Sequence, residues 1–324
     1  MKILFIADKH FKLGQKNVPK DWQINRFLQL AHQVVDIYDS QGCDLIIDGG
    51  DVFDTNKPTS DEIDLAVEFF TILKGRPTIL YTGNHEMLNK KYSALYNFTS
   101  MFREISKDFT VITEPFRSPE FDIIDYTELH KKEWEPAQSK LCFTHVRGAI
   151  PPHVVPEIDL TRFVKHGYSM VVAGDLHSYQ NSQDINGTPL LYPGSPLTTS
   201  FHREITKNTN GVFIIDTDTL KVEWVELGHL PQLITKTISV GDEMVKDPYH
   251  HVMYELEGDI RELKSVENSE LLKKKINRFV ATEATLNLSD KSLIEELNVM
   301  WKDVYKLSDA VIARLSSRLG KYHG

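Results

Sequence analysis

Five short stretches of the chain combine carboxylates, imidazoles and an amide with glycines: Asp8-Lys9-His10, Gly49-Gly50-Asp51-Val52-Phe53-Asp54, Gly83-Asn84-His85-Glu86, His145, and Gly174-Asp175-Leu176-His177. A carboxylate that bridges two cations, which stand roughly 3.5–4 Å apart in such sites, needs both oxygens free, and Asp51 in a glycine-flanked turn meets that need. Imidazoles and an amide oxygen complete the shells as neutral donors, leaving the site cationic enough to attract a phosphate. Taken singly, each stretch has an ordinary reading as a turn, a helix cap or a structural histidine. The conjunction is what points to a two-metal centre: the stretches follow one another, each after an apolar run.

Those apolar runs define the elements that must place the stretches. Lys2–Ala7 reads as a buried strand, Trp22–Tyr38 as an amphipathic helix and Asp44–Asp48 as a second strand. Ser60–Lys74 reads as a helix opened by a Ser/Asp cap, Pro77–Thr82 as a third strand and Tyr92–Ile105 as a third helix. That βαβαβα order calls for a largely parallel sheet with helices on its faces. Beyond Val111 the pattern is strand-rich: Phe121–Asp125, Leu141–Thr144, Met170–Ala173, Leu190–Tyr192, Val212–Ile215 and Val222–Val225. The expected fold class is α/β, with a second sheet packed on the first. In open α/β sheets ligand groups gather at the carboxyl ends of strands, so the five stretches could meet at one edge. After residue 230 come two more strands, Leu233–Val240 and His251–Leu256, and a helix from about Ser269 to Glu283, a small α+β unit. The last residues carry Leu293, Leu297, Met300, Val304, Leu307 and Val311 at the interleaved seven-residue spacing of a helix seam, with Trp301, Tyr305, Ile312, Leu315 and Leu319 widening it. Ser308-Asp309 could cap a second helix there.

The constellation closely resembles the calcineurin-like metallophosphoesterases, whose signature is D-x-H, G-D-x-x-D, G-N-H-D/E, a lone H and G-H-x-H; the match covers about residues 1–230. Two further stretches resemble the SbcD-type double-strand-break repair nucleases: Gly49-Gly50-Asp51-Val52-Phe53-Asp54-Thr55-Asn56-Lys57-Pro58, and Tyr192-Pro193-Gly194-Ser195-Pro196-Leu197-Thr198-Thr199-Ser200-Phe201. The resemblance implies a two-sheet metallophosphoesterase sandwich over 1–230, a small α+β capping domain that positions DNA over 231–285, and a helical partner-binding tail over 286–324. It assigns Asp8, His10, Asp51 and His177 to one metal, Asp51, Asn84, His145 and Asp175 to the other, and makes His85 the catalytic histidine. Position 175 departs from the motif, which has His there; an aspartate adds negative charge and hardens the set toward Mn²⁺ or Mg²⁺. Asp54 follows the SbcD-like pattern where archaeal and eukaryotic relatives carry His, so no role of that His transfers. The implied cofactors are two divalent ions, Mn²⁺ foremost and Mg²⁺ as the alternative. The implied activity is exonuclease action on duplex DNA and endonuclease action on single strands. The implied partners are DNA, an SbcC-like coiled-coil ATPase held by the C-terminal helices, and a second copy in a heterotetramer.

Composition limits these readings without deciding them. The 324 residues are 41% hydrophobic and 26% charged, ordinary values for a chain that buries a core. No apolar run approaches the roughly 18 residues of a membrane span, and two cysteines, Cys43 and Cys142, build no disulfide framework. The expected location is the cytoplasm. A net charge of −9 argues against coating nucleic acid by bulk electrostatics, but metal ions and a local basic face supply positive charge where a phosphate must sit. Lys12, Lys57, Lys90 and Arg203, beside the motif loops, are candidate phosphate contacts, while Lys273-Lys274-Lys275 reads as a solvated face. The stripe Leu95, Phe98, Phe102 and Ile105 reads as core, or, by the resemblance, as a surface pairing two copies. Two rival functions stand beside the nuclease: a protein phosphatase or small-molecule phosphodiesterase on the same core, and a binding scaffold whose site Asp175 has broken.

Overall fold

The computed structural model describes residues 1–203, 208–245, 247–258, 263, 264, 266, 267, 269, 271–276 and 293–319. The first part of the chain forms β1 (Lys2–Ile6), α1 (Lys20–Gln41), β2 (Leu45–Asp48), α2 (Ser60–Ile72), β3 (Thr78–Leu80), a hairpin of β4 (Met87–Asn89) and β5 (Tyr92–Ser93), α3 (Thr99–Ile105) and β6 (Phe109–Val111). Next come β7 (Phe116–Arg117), β8 (Asp122–Ile124), α4 (Tyr126–Leu129), β9 (Leu141–His145), α5 (Thr161–Lys165) and β10 (Met170–Gly174). They are followed by β11 (Gln183–Ile185), β12 (Thr188–Leu191), β13 (His202–Arg203), β14 (Gly211–Asp216) and β15 (Lys221–Glu226).

These strands make two six-stranded sheets, ordered β15-β14-β1-β2-β3-β6 and β11-β12-β10-β9-β8-β7. The centre of the first is parallel, as the βαβαβα order requires, with β14 and β15 added antiparallel at one edge. In the second, β8, β9, β10 and β12 are parallel. Alternation along β1 shows how the layers stack. Ile3, Phe5 and Ala7 point between the sheets, against Phe121, Phe143 and Val172, while Leu4 and Ile6 point outward to Phe27, Leu30 and Val34 of α1 and Phe69 and Phe70 of α2. A third core, with Trp134, Phe163 and Val171, covers the far face of the second sheet. The result is the two-sheet sandwich expected, with the parallel strands buried on both faces.

Local chemistry explains the ends of the helices. Gly42, at φ 63°, closes α1. The cap of α2 is Thr59 rather than the Ser60-Asp61 pair: its hydroxyl accepts the Glu62 N–H and the Glu62 carboxylate accepts the Thr59 N–H, a complete capping box. The single helix expected over Tyr92–Ile105 is not formed. Tyr92–Ser93 pairs back on Met87–Asn89, and the Ser93 hydroxyl accepts the Leu95 N–H to open a 3₁₀ turn over Ala94–Phe98, so only seven α-helical residues remain. Leu95 and Phe102 are fully buried in the first core, with Phe98 and Ile105 packed on it.

A four-stranded sheet orders β13, β16 (Leu233–Ser239), β17 (His251–Gly258) and β18 (Leu272–Ile276), with a small core of Ile234, Val252 and Tyr254. The helix expected from Ser269 is therefore a strand in its described part, and residues 277–283 lie outside the described residues. The chain divides into two compact units; the first comprises Met1–Ile238, Asp242–Glu255 and Asn268–Lys273 and holds both large sheets. In the second, helices Leu293–Val299 and Asp309–Leu319 flank a wider π turn over Met300–Val304, with Lys306 at φ 52° reversing the chain. The second helix starts just after Ser308, whose carbonyl accepts the Val311 and Ile312 N–H groups. No helix among the described residues is long and apolar enough to cross a membrane.

Candidate metal centre

Five strand ends deliver the candidate ligands. β1 runs into Asp8 and His10, β2 into Asp51, β3 into Asn84 and His85, β9 ends on His145, and β10 runs into Asp175 and His177. The loops turn too sharply for relaxed backbone: Asp8 (φ 56°), His10 (φ 49°), Asp51 (φ 53°) and Asp175 (φ 97°) all adopt left-handed conformations that L-residues avoid. Strain of this kind persists only where surrounding structure over-determines it, and it gathers at ligand sites. Two glycines permit the close approach of the loops. A Cβ on Gly83 would stand 2.2 Å from Asp51 Oδ1, and one on Gly50 would meet the Gly83 nitrogen at 2.6 Å.

Asp51 lies at the middle of the cluster. Its Oδ2 is 3.5 Å from Nε2 of His10 and 3.5 Å from Nε2 of His145. On the first side, His10 Nε2 and His177 Nε2 face each other at 3.1 Å, and donor atoms of Asp8, His10 and His177 all lie within 4.8 Å of one another. On the second side, His145 Nε2 is 3.1 Å from Asn84 Oδ1 and 4.0 Å from Asp175 Oδ1. The structure thus brings Asp8, His10, Asp51, Asn84, His145, Asp175 and His177 together. His85 stacks edge-on against His10 at 4.6 Å and also offers a ring nitrogen near His10 and Asp51.

The electrostatics suit divalent cations. Burial lifts the Asp8 carboxyl and the Asp51 and Asp175 charges add to it, while His145 and the Asp175 N–H pull it down; the net result is a pKa of about 7. Burial also raises Asp175. Desolvation keeps His10 and His177 below the ordinary histidine range, so both are neutral donors at pH 7. His145 differs: burial opposes its charge, but Asp51 raises its pKa well above the ordinary range. Crowded carboxylates beside these imidazoles, their donor atoms converging, form a set that two cations would satisfy, which is the fit a binuclear centre requires. His145 Nδ1 donates to the Gly49 carbonyl at 2.8 Å, leaving Nε2 as the donor atom toward a metal.

Several residues that are not candidate ligands hold this arrangement. Glu86, fully buried, accepts N–H groups from Asp51 (3.2 Å), Phe53 (3.1 Å) and Gly83 (2.9 Å), tying the second and third loops together. Lys9 turns away from the site and donates to Asp48, both side chains being buried. Arg147 Nε is 3.3 Å from Asp175 Oδ2. The segment from Tyr192 to Phe201 also braces the site, since the Ser195 hydroxyl donates to the Asp8 carbonyl at 2.9 Å and Thr199 Oγ1 is 3.3 Å from His177 Nδ1. Of the candidate phosphate contacts, Lys12 is tied to Asp54 at 2.6 Å, Lys57 is exposed and Lys90 lines a cleft beside Asn84. Arg203 belongs to β13, with its side chain outside the described residues.

Residues 1–179 match the calcineurin-like phosphoesterase family. Probable exonuclease subunit 1 of Escherichia phage T5 is 56% identical over 323 residues, covering 99% of this chain and 98% of that protein. Among solved structures, TT1561 of Thermus thermophilus aligns with a TM-score of 0.45 and 11% identity over 70% of this chain and 98% of its own. Yfce, a phosphoesterase from E. coli, aligns with a TM-score of 0.33 and 12% identity over 70% of this chain and 100% of its own. Motif residues, their placement at strand ends and a family match spanning more than half of the sequence agree, and the chain belongs to the calcineurin-like phosphoesterase family.

Proposed function

We propose that the chain is the nuclease subunit of an SbcC/SbcD-like complex, a metal-dependent phosphodiesterase acting as an exonuclease on duplex DNA and an endonuclease on single strands. The observation that carries this reading is the cluster around Asp51, set between two clefts. One cleft, about 300 Å³, is lined by His177, Asn181, Ser195, Thr199 and His202. The other, about 490 Å³, begins at Asn84 and runs past Lys90, Tyr126 and His130, and a neighbouring cleft of about 550 Å³ shares Lys90 and His130 and adds Lys91 and Lys131. A phosphomonoester needs room on one side of its phosphorus. A phosphodiester in a polymer needs room on both, and lysines with aromatic rings beside them suit a strand's phosphates and bases. The T5 relative's name, an exonuclease subunit, favours both a nuclease and a partner chain.

Asp8, His10, Asp51 and His177 would hold one ion, and Asp51, Asn84, His145 and Asp175 the other. When bound, two Mn²⁺ or Mg²⁺ ions neutralise phosphate oxygens and lower the pKa of a water nucleophile. His85 would handle the proton at the leaving oxygen. Its Nδ1 donates to the Asp54 carbonyl at 2.7 Å, which turns Nε2 outward, and although burial opposes its charge, Asp51 and that carbonyl raise its pKa overall. Residues 231–285 would cap the site over DNA, and residues 286–324 would hold the coiled-coil ATPase, with two copies in a heterotetramer. Purified protein assayed on single- and double-stranded DNA with Mn²⁺, with Mg²⁺ and with a chelator tests the activity. Hydrolysis of phosphoprotein or nucleotide esters with no hydrolysis of either DNA would refute it.

A further inference from the structure

Asp175 is a carboxylate in a place where its charge needs explaining. Its side chain is 5% exposed, and Asp8 and Asp51 already supply negative charge to the same cluster. The backbone is fixed from one side, since the Asp175 N–H donates to both Asp8 oxygens, at 3.0 and 3.2 Å. The side chain is fixed from the other: Oδ2 takes Nε of Arg147 at 3.3 Å, while Oδ1 turns to His145 Nε2 at 4.0 Å. Arg147 follows His145 by two residues, so the strand that presents one candidate ligand also presents the group that holds another. Its own backbone N–H is anchored on Glu157 Oε1 at 2.6 Å, and Glu157 Oε2 in turn accepts the Tyr126 hydroxyl at 2.9 Å.

We propose that Arg147 is a positioning residue for the second metal site: it binds one oxygen of Asp175 so that the other faces the metal, and it offsets the charge that a carboxylate adds at this place. The inference rests on the two-metal reading above. Formal charge gives the reason. Asp8, Asp51 and Asp175 bring three negative charges against the four positive charges of two divalent ions. A histidine at 175 would leave the centre with a surplus of two positive charges for the incoming phosphate; an aspartate leaves one, and Arg147 restores the second. Geometry supplies the other half. An unheld aspartate can rotate and chelate one ion through both oxygens, whereas one with Oδ2 engaged presents a single donor in a fixed direction. An exposed ion pair would be worth little in stability, but here the carboxylate is buried and only the guanidinium, 41% exposed, reaches solvent.

The test is a metal-binding cycle on the full-length chain, read by calorimetric Mn²⁺ titration and by the exchange-coupled signal of a Mn²⁺ pair in electron paramagnetic resonance. Arg147→Ala should weaken the second ion by about 10- to 100-fold, the usual effect of removing a group that orients a metal ligand, and leave the first unchanged. Arg147→Lys, which keeps the charge, should recover most of that loss. In Asp175→His the same Arg147→Ala change should cost nothing, because an imidazole brings no charge to offset and no second oxygen to hold. Two ions bound by Arg147→Ala as tightly as by wild type would overturn the proposal, as would an equal loss in both backgrounds. If the wild-type chain binds fewer than two ions, the two-metal reading itself fails, a result visible before any variant is compared.

Discussion

Asp51 divides its two oxygens between backbone and cluster: Oδ1 accepts the N–H of His85 at 2.9 Å, while Oδ2 stands 3.5 Å from Nε2 of both His10 and His145. Asp51 therefore does not have both oxygens free, as its glycine-flanked turn had suggested: Oδ2 alone faces the cluster, and the residue proposed to bridge two ions also fixes the peptide that carries the candidate catalytic histidine. The two roles separate by substitution. Asp51→Asn should lower metal content and activity together, because the proposed centre shares this ligand between both ions. His85→Ala should retain both ions and lose turnover by about 10²–10⁴, the usual worth of a positioned acid or base. Metal analysis of each variant alongside its rate decides the matter, and loss of metal in His85→Ala would make His85 a ligand.

Glu86 predicts a stability effect. Its buried carboxylate accepts N–H groups from Asp51, Phe53 and Gly83, and burial together with the nearby Asp51 charge raises its pKa to about 7. Glu86→Ala would strand buried donors at roughly 1–3 kcal/mol each, so an overall loss of about 3 kcal/mol or more is expected in urea unfolding. Glu86→Gln keeps an acceptor oxygen and should lose clearly less. Equal unfolding midpoints for Glu86→Ala and wild type would show that the loops hold without it.

The buried pair of Lys9 and Asp48 predicts a non-additive cycle. Lys9 sits between two candidate ligands, yet its ammonium is fully buried on Asp48, whose carboxyl is raised by burial against the pull of Lys9. Lys9→Met leaves an uncompensated buried carboxylate and should cost about 3–5 kcal/mol, whereas Lys9→Met combined with Asp48→Leu should cost far less. Denaturant titration of the single and double variants measures the coupling. Additive losses would mean that the pair contributes through packing alone.

How much of this was legible in the sequence depends on the range of the interaction. Asp8, His10, Asp51, Asn84, His145, Asp175 and His177 announce themselves because each follows an apolar strand and sits in a short motif, and the parallel order of those strands forces their ends to one edge. Glu86 lies in a recognised stretch, but its acceptor role toward Asp51 and Phe53 exists only when loops more than thirty residues apart close on each other. Arg147 gave no signal, since an arginine two residues after a strand end is ordinary until Asp175 folds against it. The Tyr92–Ile105 stripe misled for a local reason: Leu95 and Phe102 are spaced by seven, as in a helix, while Ser93 is both the end of a hairpin strand and a cap. Leu272–Ile276 carries three lysines that read as one solvated helical face, yet β17 recruits that segment into a sheet.

The clefts beside Asn84 predict a salt signature. Lys90, Lys91 and Lys131 are exposed and line these neighbouring openings. Each lysine that neutralises a phosphate should, when changed to alanine, reduce the slope of log affinity against log salt by about one and weaken binding uniformly across sequences. Fluorescence anisotropy with single-stranded DNA at several salt concentrations reads both effects. Unchanged slopes in the triple alanine variant would move the strand path to another face, with the cleft beside His177 and His202 the next to examine.

The C-terminal helices give the last prediction. Helices Leu293–Val299 and Asp309–Leu319 are joined by the Ser316 hydroxyl donating to Asn298 Oδ1 at 2.5 Å. Their apolar positions are only partly hidden: Val304 is 53% exposed, Tyr305 61% and Val311 42%, Leu297, Met300, Trp301, Leu307, Ile312 and Leu315 are half-buried, and none of the side chains described from 295 to 317 is fully buried. The turn at Lys306 breaks the seven-residue seam into two short helices, so the stripe forms a patch at a helical hairpin rather than one long coiled-coil strand. Short helices of seven and eleven residues gain little from propensity alone, and an uncovered apolar face costs free energy in water, so a covering surface is expected. A coiled-coil ATPase supplies that surface in the proposed complex. Deleting residues 288–324 should therefore leave a folded, metal-binding chain that retains its hydrolytic activity, fails to co-purify with the ATPase and no longer responds to ATP. Co-expression pull-down and activity assays with and without ATP read these outcomes. If the truncated chain aggregates or loses its cooperative unfolding transition, the helices stabilise this chain's own fold and the partner assignment falls.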